Sequence, residues 1–593
     1  MSNSLGDYIV DRTESLNDDF VKDYFVDRND GKIIRLLDSE QYIFEGSRGI
    51  GKTMLMRVAE IQAKNDFNKD SILAVWISFE ESLNLERINI NDSKSADPFL
   101  QWTMGKILSE TLKKIISLKP SCEDELSKRL SKIFNNTTND KVERFGYYTG
   151  LLNTYVELLQ QGNIESNNEL KDKTPSLELM KILDNPASFK EFLLSLCKEF
   201  NLSRIVLLFD EAAHVFSSPQ QEKFFTLFKS LRNPQIACKA AVYPGITNYG
   251  KYFEKGQDAK ELRIDWMPSN INDVNYIREI LKVRIQNHNK LYWNKLTIND
   301  DIINTICVCS NGNPRFAFHI IDELENINAF KKKTITNTVT INAIRKVFDN
   351  KWREFNTLQE RMPKYKIYIK EAEIFIKEVV IPNLRAWNAK RRDGNKKLSS
   401  GLYIETAAYD KIHEIFDILA YYNIITINYS KKSLGKGGYY GYYITLNPSI
   451  LFSDLIIKDV KEISDMSIAI ENNQAYFMST TQIQELCNKV KLQNEYKCSN
   501  KNCTFTTNDE NYNFCPICGG KIKKEEEVSL YKILRSHSID NLGLSNFIKD
   551  KLRSKFNNIG EIQDASPDEI RMKQIQDVRI EKIKNAVIEY MAG

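Results

Sequence analysis

Short, solid apolar runs punctuate the first half of the chain. They are Tyr42-Ile43-Phe44, Ser71 to Phe79, Arg204 to Phe209, Ile236 to Tyr243 and Glu261 to Trp266. Four of these five are apolar and rich in β-branched residues, as strands buried on both faces of a parallel sheet tend to be. Helical stretches separate them, which predicts an α/β core with helices on both faces of the sheet. Between the second and third runs lie more than a hundred residues, far beyond an ordinary crossover. Within that interval Phe99 to Leu118 and Tyr148 to Gln160 read as helices and Gln161 to Lys173 as a polar loop. The interval is therefore expected to be a helical insertion, at about 85–200.

After Asn270 the pattern is helical again, clearest over Val274 to Ile285 and Pro314 to Ile327. From Tyr368 to Pro448 it changes to a helix, Thr406 to Ala420, followed by strand Ile424 to Tyr429, turn Ser430 to Gly438 and strand Tyr439 to Leu446. Helix then hairpin is the order of a winged helix. The expected divisions are a core over 1–269, a helical lid over 270–365, the winged helix over 366–460, a cysteine-bearing region over 461–527 and a helical C-terminal region over 528–593. Asp568 to Met591 reads as its main helix, with no chemistry of its own and a role in oligomer or partner contact. No repeat of solenoid or propeller length is visible.

Composition changes this picture little. The 593 residues are 42% hydrophobic and 27% charged, with a net charge of +4, so only local clustering of charge could point to nucleic acid. No apolar run reaches the roughly 18 residues needed to span a bilayer, and the N-terminus MSNSLGDYIVDRTE is acidic and polar. The expectation is a cytoplasmic protein with no membrane partner. Ten cysteines, scattered except for one group of four, argue for a reducing compartment and a metal over disulfides.

The strongest chemical signal follows the first strand. Gly46-Ser47-Arg48-Gly49-Ile50-Gly51-Lys52-Thr53 is a complete G-x-x-x-x-G-K-[ST] loop, with a helix-forming run, Met54 to Ala63, behind it. Glycines let several backbone N–H groups turn toward one phosphate, Lys52 brings charge to the β/γ-phosphates, and Thr53 offers a hydroxyl to Mg²⁺. The helix adds its positive end. ATP and Mg²⁺ are the expected ligands. The third strand ends in Asp210-Glu211, where the first carboxylate would serve Mg²⁺ and the second would orient and deprotonate the attacking water. Gly312-Asn313-Pro314-Arg315 opens a lid helix, from which Arg315 could reach a γ-phosphate. After the fourth strand, Thr247 and Asn248 are candidates to touch the phosphate or the lytic water, although turn chemistry explains them equally well.

These stretches, FEGSRGIGKTMLMR, LLFDEA, AVYPGITNYG and GNPRFA in that order, resemble the AAA+ ATPases of the origin-recognition/initiator type, including a group found widely in bacteria. The resemblance covers roughly residues 20–460, and GNPR followed by a winged helix is what narrows it. It implies nucleotide and Mg²⁺ at Lys52 and Thr53, metal binding and hydrolysis at Asp210 and Glu211, and a sensor-2 role for Arg315. It further implies a homo-oligomer, with Arg232 or Arg263 as arginine fingers for a neighbouring subunit, and roles in mobile-element replication or antiviral defence. The large insert departs from the family pattern.

Lys431, Lys432 and Lys436 on the wing, with Lys390-Arg391-Arg392 and Lys396-Lys397 upstream, suit backbone contact with DNA. Asp410, Glu414 and Asp417 on the helix before the wing argue against its insertion into a major groove. Either the basic loops grip the backbone without sequence preference, or the domain serves assembly. Cys498-x4-Cys503 and Cys515-x2-Cys518, with eleven residues between the pairs, form a four-thiolate set that selects tetrahedral Zn²⁺ in a closed, structural site. Whether this zinc ribbon meets nucleic acid or a partner protein stays open. Cys122, Cys197, Cys238, Cys307, Cys309 and Cys487 are expected to pack as small apolar residues. Two functions fit. One is an ATPase motor or switch acting on or loading at DNA; the other is a STAND-like signalling switch that turns over slowly and recruits an effector.

Overall fold

The computed structural model describes residues 16–79, 97–134, 143–161, 177–212, 218–264, 270–361, 366–433 and 440–463, and shorter stretches between 475 and 590. The predicted apolar runs become strands β1 (Tyr42–Glu45), β2 (Ile72–Ser78), β3 (Arg204–Asp210), β4 (Ile236–Val242) and β5 (Lys260–Arg263). They form one parallel sheet in the order β2-β3-β4-β1-β5. The interior strand β4 is buried along its whole length and β3 along all but its first residue, which is why their sequences carry no polar face. The exception is Lys239 in β4. Its fully buried ammonium donates to the Asp38 and Glu40 carbonyls and to Asp38 Oδ1, so a core position otherwise hostile to charge is satisfied.

This strand order lays the ends of β3, β4 and β1 side by side at one edge, with the phosphate-type loop leaving β1 among them. The helix behind that loop, Lys52–Asn65, is fixed by a polar network: Arg57 donates to Glu60 and to Asp18 of an N-terminal helix (Asp18–Tyr24), and Lys114 of the insert donates to Glu60. The insert is helical as expected, beginning with Pro98–Leu118 and containing Phe145–Gln161. Its Phe99 and Trp102 pack with Phe79, Phe209 and Phe224 against the sheet. The expected loop Gln161 to Lys173 lies, apart from its first residue, outside the described residues.

Helices Ile271–Gln286, Lys290–Thr297, Asp300–Cys309, Pro314–Asn326 and Asn337–Arg361 make the lid. The winged domain follows, with strands β6 (Gly401–Glu405), β7 (Ile425–Ser433), β8 (Tyr440–Leu446) and β9 (Ala475–Met478) in the order β7-β8-β6-β9. Three features differ from the sequence reading. The helix expected over Thr406 to Ala420 is split into Thr406–Tyr409 and His413–Tyr421. Strand β9, parallel to β6, comes from beyond residue 460. The helix expected over Asp568 to Met591 is interrupted by an antiparallel bridge between Met572 and Ile575, with helical residues again between 579 and 590. Residues 534–590 enclose a separate apolar cluster around Leu552, Ile559, Ile562 and Ile583. Among the described residues no helix is long and apolar enough to cross a membrane.

Candidate active site and metal centre

The loop between β1 and its helix carries Gly49 and Gly51 in the left-handed region, at φ +82 and +99. Gly49 needs its missing side chain for a second reason. A Cβ there would lie 2.8 Å from Asn313 Oδ1 and 3.2 Å from Arg315 Cβ. The lid helix therefore starts directly on the loop. Asn313 serves both, since its Oδ1 accepts the Phe316 N–H and caps the helix while its Nδ2 donates to the Arg48 carbonyl at 2.7 Å.

Lys52 is buried. Its Nζ donates to the Gly46 and Ser47 carbonyls at 2.7 and 3.0 Å and stands 3.7 Å from the centre of the Tyr243 ring. Desolvation pulls its pKa down to about 7, against the pull of Glu211 and Asp210, while Arg315 adds to the depression. One ammonium thus senses the P-loop, the strand-end carboxylates and the lid arginine together. Ser47 Oγ is buried and has no hydrogen-bond partner among the described residues. An orphaned hydroxyl, a desolvated lysine and a helix N-terminus fit the phosphates of a nucleotide. Gly46 to Thr53 would hold those phosphates, and Thr53 with Asp210 would hold Mg²⁺.

Asp210 ends β3 in the core, and Trp76 Nε1 donates to its Oδ2 at 3.4 Å. Glu211 sits just beyond at φ +61, a conformation a glutamate adopts only at a cost and one common at functional sites. Its Oε1 accepts the Tyr243 hydroxyl at 3.1 Å. Tyr243 therefore joins the candidate base to Lys52, a link the sequence reading missed. Its position directly after β4, level with the carboxylates after β3, was the available signal. Thr247 is engaged in the same turn, donating to the Tyr243 carbonyl and accepting its N–H. The Asn248 side chain accepts the Gly250 N–H. Arg232 donates to the Gln257 carbonyl, and Arg263 pairs with Glu45 and Glu261 beneath the Tyr429 ring.

The winged domain closes over this edge. Helix His413–Tyr421, which precedes the wing, turns its Ile415, Phe416, Ile418, Leu419 and Tyr421 inward. The Arg48 N–H donates to the Tyr421 carbonyl at 3.1 Å, and the Tyr421 ring meets Tyr243 edge-on with centroids 5.2 Å apart. Gly245, at φ +70, lies so close to this helix that a Cβ would fall 1.9 Å from Asp417 Cβ. Asn311 of the lid exchanges hydrogen bonds with Asn423 and donates to Thr426, tying lid to wing. A cleft remains between the P-loop and the winged domain, lined by Gly46, Ser47, Ile50, Arg263, Asn423 and Tyr429 among others. The stretch expected as a basic loop is helical in its first part: Lys390 and Arg392 are exposed in the last turn of helix Ile381–Asp393, Arg392 pairing with Glu462, and Lys396 and Lys397 are exposed just after it. The side chains of Lys431 and Lys432, and Lys436 altogether, lie outside the described residues.

In the C-terminal region, β10 (Tyr496–Cys498), β11 (Thr506–Thr507) and β12 (Ile522–Lys523) form a small antiparallel sheet that gathers the four cysteines. The Sγ atoms of Cys498, Cys503, Cys515 and Cys518 all lie within 4.8 Å of one another, with 3.4 Å for Cys498–Cys518 and 3.6 Å for Cys503–Cys515. Zn–S bonds of about 2.3 Å place tetrahedral sulfurs roughly 3.8 Å apart, so the set fits Zn²⁺. Backbone N–H groups of Asn500, Phe505, Ile517 and Gly520 each face one sulfur. Cys197, Cys238, Cys307 and Cys309 are buried as expected, Cys122 is partly exposed, and Cys487 lies outside the described residues.

A parallel sheet in this order, a phosphate loop after β1, carboxylates at the end of β3 and an arginine-bearing helical lid define an AAA+ P-loop ATPase. Residues 10–295 match the model of the family described as ORC-CDC6-like. Solved structures that resemble it include the Aeropyrum pernix ORC2 protein in ADPNP–ADP complexes (12% identity, 79% of this chain and 97% of that one, TM-score 0.27). Two others are Cdc6p from Pyrobaculum aerophilum (12%, 77% and 96%, 0.27) and the Aeropyrum pernix ORC1 protein in complex with DNA (9%, 79% and 97%, 0.28). At those superpositions the likeness does not extend to individual residues. No curated protein matches the chain.

Proposed function

We propose that this chain binds ATP with Mg²⁺ in the cleft at the ends of β1, β3 and β4, hydrolyses it, and uses the cycle to act on DNA. The observation that carries the reading is the convergence on Lys52 of groups from three segments: Asp210 and Glu211 from the strand, Arg315 from the lid, and the loop's own carbonyls. Lys52 would leave Gly46 O and Ser47 O for the β/γ-phosphates. Glu211, held by the Tyr243 hydroxyl, would orient and deprotonate the attacking water. Mg²⁺ at Thr53 and Asp210 would neutralise charge on the phosphates. Arg315 would signal the γ-phosphate to the lid.

DNA as the partner is supported by the match of residues 10–295 to that family and by the exposed basic residues at and after the end of helix Ile381–Asp393, which suit phosphate contacts without base reading. A homo-oligomer and a role in mobile-element replication or antiviral defence remain expectations of the family likeness alone.

One observation favours the second reading, a STAND-like switch with slow turnover: the winged domain packs on the P-loop itself. The ATPase rate with and without double- and single-stranded DNA, on wild type and Glu211→Gln, separates them. DNA-stimulated hydrolysis is expected. A rate unmoved by every nucleic acid removes DNA as the substrate, and tight ADP retention with negligible turnover installs the switch.

A further inference from the structure

Lys351 lies on the long lid helix Asn337–Arg361, outside every motif described above. Its ammonium stands 5.1 Å from the ring centres of both Phe316, next to Arg315, and Tyr422, next to Tyr421. Three kinds of charge act on it: Glu354 favours the cation, while Arg48 of the P-loop and Arg315 of the lid oppose it. Glu354 is already committed, accepting the Tyr422 hydroxyl at 2.9 Å. Among the described residues Lys351 makes neither an ion pair nor a hydrogen bond. Its stem is partly exposed, yet the head group is enclosed enough for desolvation to bring its pKa down to about 8.

Arg48 and Arg315 both bear on the Lys351 ammonium, with Glu211 near Arg48 and Glu354 near Lys351 offsetting part of that charge, so a further anion among the three cations would be favoured. The loop contact fixes where such an anion would come from, because Arg315 Cβ and Gly49 are near neighbours.

We propose that Lys351 is a further binding residue of the nucleotide site, completing with Arg48 and Arg315 a cationic pocket for the terminal phosphate of a nucleoside triphosphate. The inference rests on the nucleotide-site reading above. It explains why an unpaired lysine is kept between Phe316 and Tyr422, where an aliphatic side chain would pack at lower cost. It also gives the winged domain a stake in the γ-phosphate: an anion drawn to Lys351 competes with the Tyr422 ring for the same ammonium.

The test is equilibrium binding of fluorescent ATP and ADP analogues with Mg²⁺ to the full chain, comparing wild type, Lys351→Met, Lys351→Arg and Lys52→Ala. Loss of a charge-assisted phosphate contact predicts about tenfold or more weaker ATP binding by Lys351→Met, with ADP changed by less than about threefold. Lys351→Arg should restore most of it. Thermal unfolding checks for a merely structural role. Lys351→Met should melt no lower than wild type without nucleotide and lose part of the ATP-induced rise. A lowered ligand-free melting temperature with intact ATP-over-ADP preference overturns the proposal. So does wild-type ATP affinity in Lys351→Met when Lys52→Ala has lost it, a result that leaves the nucleotide site standing. Wild-type protein that binds neither nucleotide overturns both readings.

Discussion

The backbone N–H of Arg48, inside the phosphate loop, donates to the carbonyl of Tyr421, the last residue of the helix that precedes the wing. The helix whose acidic residues argued against entry into a major groove is thereby committed to the sheet domain. Of its acidic residues, Asp417 faces Gly245 at this interface.

Gly245 is the cheapest place to open that interface. Alanine there would meet Asp417 and hold φ near +70, a backbone region that costs an L-residue about 1–2 kcal/mol. Gly245→Ala should loosen the winged domain without touching Gly46 to Thr53. A larger radius of gyration by small-angle scattering and faster association of a fluorescent nucleotide are expected. Unchanged scattering and association rate would show that the contact does not gate the site.

Glu211→Gln keeps the shape and the Tyr243 contact but removes the base. ATP affinity should hold while phosphate release falls about 10²–10⁴-fold. A variant turning over at the wild-type rate would take Glu211 out of the chemistry.

Asp417 makes the interface pH-sensitive. Desolvation raises its pKa to about 6, with Glu45 and Glu414 adding to the rise, while His413 and the Tyr409 hydroxyl work against it. A carboxyl raised from its ordinary 3.8 stabilises the folded, docked state below that value, and the benefit is lost as pH climbs through 6. At pH 8 the buried charge then costs on the order of 3 kcal/mol. Asp417→Asn, which keeps an acceptor for Tyr409, should melt higher than wild type at pH 8, and the gap should close by about pH 4. A gap independent of pH between 4 and 8 would contradict this.

Much of this was legible from the chain, and the reason is burial. The interior strands have no polar face, so their sequences announce them almost to the residue: Ile236 to Tyr243 was expected and Ile236–Val242 is found. The phosphate loop and the cysteine set were legible because their chemistry demands fixed spacing. Contacts between distant segments left no local trace. Tyr421, Tyr422 and Lys351 carry no motif; Tyr421 meets Tyr243, and Tyr422 meets Lys351, only because lid and wing fold back over the sheet. Short elements set by tertiary pairing, such as β9 and the Met572–Ile575 bridge, were hidden for the same reason.

The four thiolates should hold one zinc ion per chain, measurable by mass spectrometry of the purified protein. Chelation or Cys515→Ser should unfold the small sheet, since the metal supplies on the order of 10 kcal/mol there, while ATP binding at the distant sheet persists. Metal-free protein whose Cys515→Ser variant shows an unaltered melting profile would refute the site.

The apolar cluster of residues 534–590 closes on itself around Leu552, Ile559 and Ile583. Such a tail can drift, be exchanged or acquire a new surface specificity while the machine upstream keeps its packing intact. The tail's apolar packing comes from within residues 534–590, apart from the clusters that surround the sheet.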